Sequence, residues 1–208
     1  MAVAIGSSVL AEQIGFDSDP VGSPPSGWQA GVTGRGSPKW TVEADPTAPS
    51  PPNVLRQSGG GTFPWAVKSG VQLADGFVEV KFKPSSGRED QAGGVVWRWK
   101  DGDNYYVARA NALEDNVSLY YVRRGSRKTL KYVDAPVPKD QWHRLRVEFA
   151  DERIVVALNG KTYIDHKDDH ITGAGAVGLW TKADSVTAFD DLSYGGSAGH
   201  GDEKGTSP

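Results

Sequence analysis

The 208-residue chain has no cysteine, which excludes disulfides, thiolate zinc sites and cysteine nucleophiles. That absence does not fix the compartment, because exported proteins without disulfides are common. No run approaches the ~18 consecutive apolar residues of a membrane-spanning helix, so no transmembrane segment is expected and the protein reads as soluble. No stretch holds a helical apolar stripe through three turns. An excess of positive charge is also missing: 23 Lys and Arg against 26 Asp and Glu give a formal charge of −3, and a nucleic-acid partner has no compositional support. There is no phosphate-cradling loop, serine-nucleophile elbow or nicotinamide fingerprint. The first basic residue is Arg35, so the opening "MAVAIGSSVLAEQ" lacks the basic start of an export signal. Its apolar run and small residues before Glu12 nevertheless suit a cleavage site. Residues 1–12 are read either as a signal-peptide remnant or as the first strand entering the domain.

What is abundant is punctuation: 26 Gly and 13 Pro suit short strands and turns. Segments such as "GSPPSG", "GRGSP" and "DPTAPSPPN" predict long ordered loops between Gly22 and Gly61. From Phe63 to Tyr194 short alternating runs follow one another, among them "GFVEVKFKP", "GGVVWRWK", "NYYVARAN", "NVSLYYVRR", "WHRLRVEFA", "RIVVALNG" and "GAVGLWTK". Asp101-Gly102 and Asn159-Gly160 are hairpin dipeptides that tolerate positive φ. About ten antiparallel strands predict an all-β, two-sheet sandwich. A single domain over residues 13–195 is expected, followed by a tail, 196–208, too poor in apolar residues to fold. His200 reads as a tail residue rather than a ligand.

The succession W-H-x-L-R-V, N-G, G-x-V-G-L-W-T and F-D-D, following "GGVVWRWKDGDNYYVARAN", resembles the concanavalin A-like lectin/glucanase superfamily. It is most similar to the laminin-G-like and 3-keto-disaccharide-hydrolase-like bacterial members, over roughly Gly15 to Gly195 by the spacing of those motifs. The resemblance implies an antiparallel jelly roll with ligand carried on the concave face of one sheet. Such domains include enzymes, lectins and adhesion modules.

Alternation then selects the displayed side chains. In "NYYVARAN", Tyr105, Val107, Arg109 and Asn111 share one face, and Tyr106, Ala108 and Ala110 the other. In "GGVVWRWK", Val96, Arg98 and Lys100 oppose Val95, Trp97 and Trp99. With Glu114, Trp180 and Lys182, the set Arg98, Tyr105, Arg109 and Asn111 offers aromatic planes beside groups that bind hydroxyls in pairs, as a sugar site requires. The alternative is that the arginines are solvated outer-face residues paired with carboxylates. Trp97 and Trp142 are assigned to the core. Glu114 is the candidate proton donor or base if there is catalysis, although a salt-bridged turn explains it more simply. The glucanase pattern E-x-D-x-x-E is absent, and "VEADP" lacks the third acid.

"DHKDDH", Asp165 to His170, contains metal-ligand types but reads as a solvated loop. The resemblance implies a structural calcium where first and last strands pair, with Asp17, Asp190 and Asp191 as the ligand candidates; the alternative is turn capping. Arg123, Arg124, Arg127, Lys128 and Lys131 form a basic hairpin tip, read as solvated. His143 reads as a structural histidine. The expected work is binding or processing an oligo- or polysaccharide, in a secreted or periplasmic protein. The other readings are a glycoside hydrolase or lyase and a laminin-G-type protein-interaction module.

Overall fold

A computed structural model of the chain describes residues 11–197. The expected leader, 1–12, and tail, 196–208 with His200, lie outside the described residues apart from Ala11, Glu12, Gly196 and Ser197. Among the described residues there is no helix. The strands run β1 (Glu12–Ile14), β2 (Trp28–Ser37), β3 (Trp40–Ala44), β4 (Asn53–Gln57), β5 (Gly60–Lys68), β6 (Gly76–Ser86), β7 (Ala92–Asp101), β8 (Asn104–Asn111), β9 (Asn116–Arg123), β10 (Ser126–Asp134), β11 (His143–Ala150), β12 (Arg153–Leu158), β13 (Lys161–Lys167), β14 (Ala176–Trp180) and β15 (Val186–Gly196).

Two antiparallel sheets face each other, which is the all-β jelly-roll sandwich that the sequence predicts. An eight-stranded sheet has the order β13-β12-β11-β6-β15-β4-β3, with β1 also paired to β15, and a seven-stranded sheet has the order β10-β9-β8-β7-β14-β5-β2. The alternation of β11 shows why. His143, Leu145, Val147 and Phe149 are buried, while Arg144 and Glu148 are exposed. They meet Val78, Val80 and Phe82 of β6 beside them, and Trp97, Tyr106, Ala108 and Leu119 from the other sheet, in one core. Each large apolar side chain so buried contributes about 1.5–3 kcal/mol. Trp97 is the centre of it, stacked on Tyr106 at 5.4 Å and on Phe149 at 5.9 Å between ring centroids. Asn159 and Gly160 carry the positive φ values, 51° and 83°, of a tight hairpin. The other turn falls one residue beyond the Asp-Gly pair, since Asp101 pairs with Asn104 and its carboxylate holds the Asp103 N–H.

Alternation fails at one place in β7. Ala176 of β14 faces Trp99 and Gly178 faces Val96, so β7 carries one extra residue between these pairs. Arg98 sits there at φ +46°, the left-handed conformation of a β-bulge residue. Beyond the bulge the faces exchange. Trp99 joins the outer side of the seven-stranded sheet, packing on Trp65 with centroids 5.2 Å apart. Arg98 therefore does not share a face with Tyr105 and Arg109, as strict alternation predicts. Its guanidinium instead ties the ends of both sheets together: Nε donates to the Ala74 carbonyl (2.8 Å), Nη1 to that of Ile171 (3.2 Å), and Nη2 to that of Asp151 (2.7 Å) and to Asp75 Oδ1 (3.0 Å). Trp142 also departs from its assignment. It is half-buried outside the core, against Ala48, Val54 and Ala188, with the Lys83 ammonium 5.1 Å from its ring centroid.

Removing the Arg98 side chain strands several buried acceptors at once. Arg98→Ala is expected to lower the unfolding free energy by on the order of 3 kcal/mol, measured by urea titration. A loss below about 1 kcal/mol contradicts the strut assignment.

Candidate functional site

The outer face of the seven-stranded sheet is unusual for an antiparallel sheet, because much of it is dry. Val96, Tyr105, Val107, Val122 and Trp180 are fully buried there, in a second apolar cluster with Trp65, Val67 and Tyr120. Curvature explains the burial. The Thr33 hydroxyl of β2 lies 2.8 Å from the Tyr105 hydroxyl of β8 and donates to the Gly102 carbonyl. These strands stand four places apart in the sheet; in a flat sheet they would be separated by about 19 Å. The sheet therefore curls into a trough, closed at this end by that contact. Gly31 permits the closure: a Cβ there would stand 2.6 Å from the Trp65 ring.

Polar groups collect at the other end. Asp90, in the β6–β7 connection, is fully buried. Its Oδ1 accepts from Arg109 Nη1 and Asn111 Nδ2, both at 2.7 Å, and its Oδ2 from Lys182 Nζ at 2.5 Å. Register delivers these partners, since Arg109 and Asn111 follow Tyr105 at every second residue of β8 and face Ser118 and Asn116 of β9. Arg109 also donates through Nη2 to Glu114 Oε2 at 2.7 Å, which takes a further bond from Asn116 at 2.8 Å. Burial acts to raise the Glu114 pKa. The Asn116 bond and the charges of Arg109 and Lys182 outweigh it and hold the carboxyl below its ordinary value. Asn116 reaches the hydroxyl of the exposed Tyr132 as well. On the opposite rim, Asp184 accepts the backbone N–H groups of Arg88, Glu89 and Asp90 and so fixes the connection that carries Asp90.

Between these walls lies an open cavity of about 520 Å³, lined by Phe63, Glu89, Arg127, Lys182 and Asp184 among others. Arg127, which the sequence places on a solvated tip, is a half-buried member of this lining. The hairpin turn at Arg124-Gly125 pairs Arg127 with Val122, and Val122 faces the trough. The guanidinium carbon consequently stands 4.3 Å from the ring centroid of Tyr120, 4.7 Å from Phe63 and 5.9 Å from Trp180. Trp180 itself stacks on Phe63 at 5.5 Å and donates its indole N–H to Tyr105.

Of the candidates read from the sequence, Arg109, Asn111, Glu114 and Lys182 come together around Asp90, and Tyr105 and Trp180 lie beneath them in the trough floor. Arg98 is elsewhere. Asp90, Phe63, Tyr120 and Arg127 were overlooked as a group; the Val122–Arg127 cross-strand pairing implied by the "VRRGSR" turn is the signal that could have found Arg127.

The other clusters have structural partners. The His143 ring is buried, with Nε2 2.7 Å from the Pro138 carbonyl and Nδ1 3.1 Å from Asn159 Nδ2. In "DHKDDH", Asp168 accepts the Tyr106 hydroxyl at 2.5 Å and pairs with His170 at 2.8 Å, while Asp165 pairs with Arg153. Among the described residues no group of three or more His, Asp or Glu side chains is arranged to hold a metal. Asp17 accepts the Asn53 N–H, Asp190 those of Ser50 and Asp191, and Asp191 pairs with Lys81 at 2.7 Å. Oxygens already facing N–H donors and an ammonium do not fit a calcium ion.

The curled two-sheet jelly roll is a concanavalin A-like fold. Within it, the chain belongs to the family of 3-keto-α-glucoside-1,2-lyase-like domains, which it matches over residues 16–193. Among solved structures it is similar to the carbohydrate-binding module CBM66 from Bacillus subtilis, at 18% identity and a TM-score of 0.68, over 81% of this chain and 95% of that one. The cellulose-induced protein Cip1 aligns at 15% identity and TM-score 0.63 over 88% and 96% of the two chains. A Bacillus licheniformis β-glucanase aligns at 13% and 0.60 over 90% and 98%. At these identities the likeness concerns the fold. No curated protein matches the chain.

Asp190 gives a pH signature. Burial pushes its carboxyl up to about 6 from 3.8, with the Ser50 and Asp191 N–H groups opposing and the Asp191 and Asp17 charges adding to the rise. A raised folded value means that this group's stabilisation is complete below about pH 4 and lost as pH rises through about 6, by on the order of 3 kcal/mol. Asp190→Asn is expected to remove that loss in unfolding titrations at pH 4 and pH 7; an unchanged pH dependence contradicts the assignment. Millimolar calcium is expected to leave the melting temperature unchanged, and a rise reversed by chelator would restore the calcium reading.

Proposed function

We propose that this chain is a carbohydrate-binding jelly-roll domain that seats its ligand at the open end of the trough. The observation that carries this reading is the ion-pair chain Glu114–Arg109–Asp90–Lys182 beside the half-buried Phe63, opening on a cavity of about 520 Å³. Charged, pre-positioned groups bind vicinal hydroxyls in pairs, and an aromatic edge takes the C–H face of a pyranose. Membership in a family described by a glucoside lyase supports the same ligand class.

In this reading Glu114, Lys182, Arg127 and Phe63 touch the sugar. Arg109, Asn111, Tyr105 and Trp180 position them, since Asn111 is fully buried with both ends of its amide engaged and Trp180 has no exposed surface. Binding is favoured over hydrolysis on electrostatic grounds. Glu114 is held ionised, which unsuits it as a proton donor. Both oxygens of Asp90 are occupied by cationic or amide donors, so it does not supply the second carboxyl that glycosidases use. The family description keeps a lyase as the second reading, with Glu114 as a base. An oligo- or polysaccharide partner and a secreted or periplasmic location complete the proposal.

Calorimetric titration with a panel of oligosaccharides is expected to give saturable binding without release of new ends on long incubation. Glu114→Gln retains one acceptor for Arg109 but loses the charge. It is expected to weaken binding about tenfold to a hundredfold while shifting the melting temperature by only a few degrees. Turnover that Glu114→Gln abolishes would replace binding with the lyase reading; no sugar bound at all would remove the proposal.

A further inference from the structure

The buried and half-buried cations of the two sheets differ in one respect. The buried or half-buried Arg56, Arg98, Arg109 and Arg146 each pair with a carboxylate, and Lys182 pairs with Asp90. Arg127 lines the cavity and, among the described residues, has neither an ion pair nor a hydrogen-bond acceptor. Its Nη1 is fully buried without a partner, while the side chain as a whole is half-buried and lines the open cavity. The rings of Tyr120, Phe63 and Trp180 hold the guanidinium plane in place. The free Nε–Nη2 edge is the one that receives a carboxylate through two parallel bonds.

We propose that the ligand carries a carboxylate, as a hexuronic acid residue does, and that Arg127 is the residue that selects it. This rests on the carbohydrate reading of the same cavity. A neutral sugar leaves a partly desolvated cation without a counter-charge, and such a group gains most from an ionised acceptor. The pocket's own acids do not serve. Asp90 is saturated by its three partners, Asp184 is turned to the backbone N–H groups of residues 88–90, and Glu89 is exposed at the rim with its backbone held by Asp184. A sulfate ester offers the fork the same charge, and the test separates the two.

The experiment titrates the full chain with hexuronate oligosaccharides, with their carboxyl-reduced neutral counterparts of the same linkage, and with sulfated neutral oligosaccharides. Uronates are expected to bind at least about tenfold more tightly than their reduced counterparts, and with a steeper loss on raising salt. Arg127→Gln is expected to erase that preference, bringing uronates and their reduced counterparts to within about threefold of each other; Arg127→Lys retains the charge but not the fork and falls between. Thermal melts of both variants separate a folding defect from lost selectivity. Reduced sugars or sulfate esters bound as tightly as uronates, or a preference that survives Arg127→Gln, overturn the inference while leaving the site a carbohydrate site. If no sugar of any kind binds, the underlying reading fails with it.

Discussion

A buried carboxylate must be neutralised where it stands, and Asp90 is where that requirement organises this molecule. It has no access to water, and its oxygens accept from Arg109 and Asn111 of β8 and from Lys182 after β14. Three segments remote in sequence are held in one geometry by one side chain. Removing a partner from such a cluster leaves an uncompensated charge, a cost of about 3–5 kcal/mol. The same cluster holds Glu114, because Arg109 spans the two carboxylates, giving Nη1 to Asp90 and Nη2 to Glu114. Functional groups held this way lose little freedom when a ligand arrives, which favours affinity.

The curl of the seven-stranded sheet supplies the other half of the arrangement. Antiparallel sheets commonly leave one face wet, yet here Thr33 meets Tyr105 across the trough and the face between them is apolar and closed. Aromatic rings that would lie open on a flat sheet become a floor. The partly exposed rings of this cluster among the described residues are Trp99 and Phe63, the latter under the Arg127 guanidinium. A jelly roll thus carries two hydrophobic clusters with different duties, one joining the sheets and one shaping the cavity.

Much of the architecture was legible in the sequence because a strand with one buried face must alternate. β6 and β11 do so in burial, and in β8, buried on both faces, period alone separated the inward Tyr106, Ala108 and Ala110 from the other face. Alternation also placed Arg109 and Asn111 with Tyr105. It failed at Arg98, because a bulge adds a residue without any compositional mark and exchanges the faces of Arg98 and Trp99. It failed at Trp142, which stands before β11 begins, where period carries no information. Arg127 was hidden for a different reason: a basic hairpin tip looks solvated until the register of its turn is known. Asp90's role depends on partners 19, 21 and 92 residues away, a convergence that only the fold creates.

The central claim is that ligand binds at the Asp90 end of the trough and nowhere on the eight-stranded sheet. Nuclear magnetic resonance shift mapping during an oligosaccharide titration tests this directly. The account predicts saturable shifts at Phe63, Glu114, Arg127 and Lys182, with Trp142 and Arg144 unmoved; shifts concentrated at Trp142, Lys81 and Arg144 on the opposite sheet would contradict it.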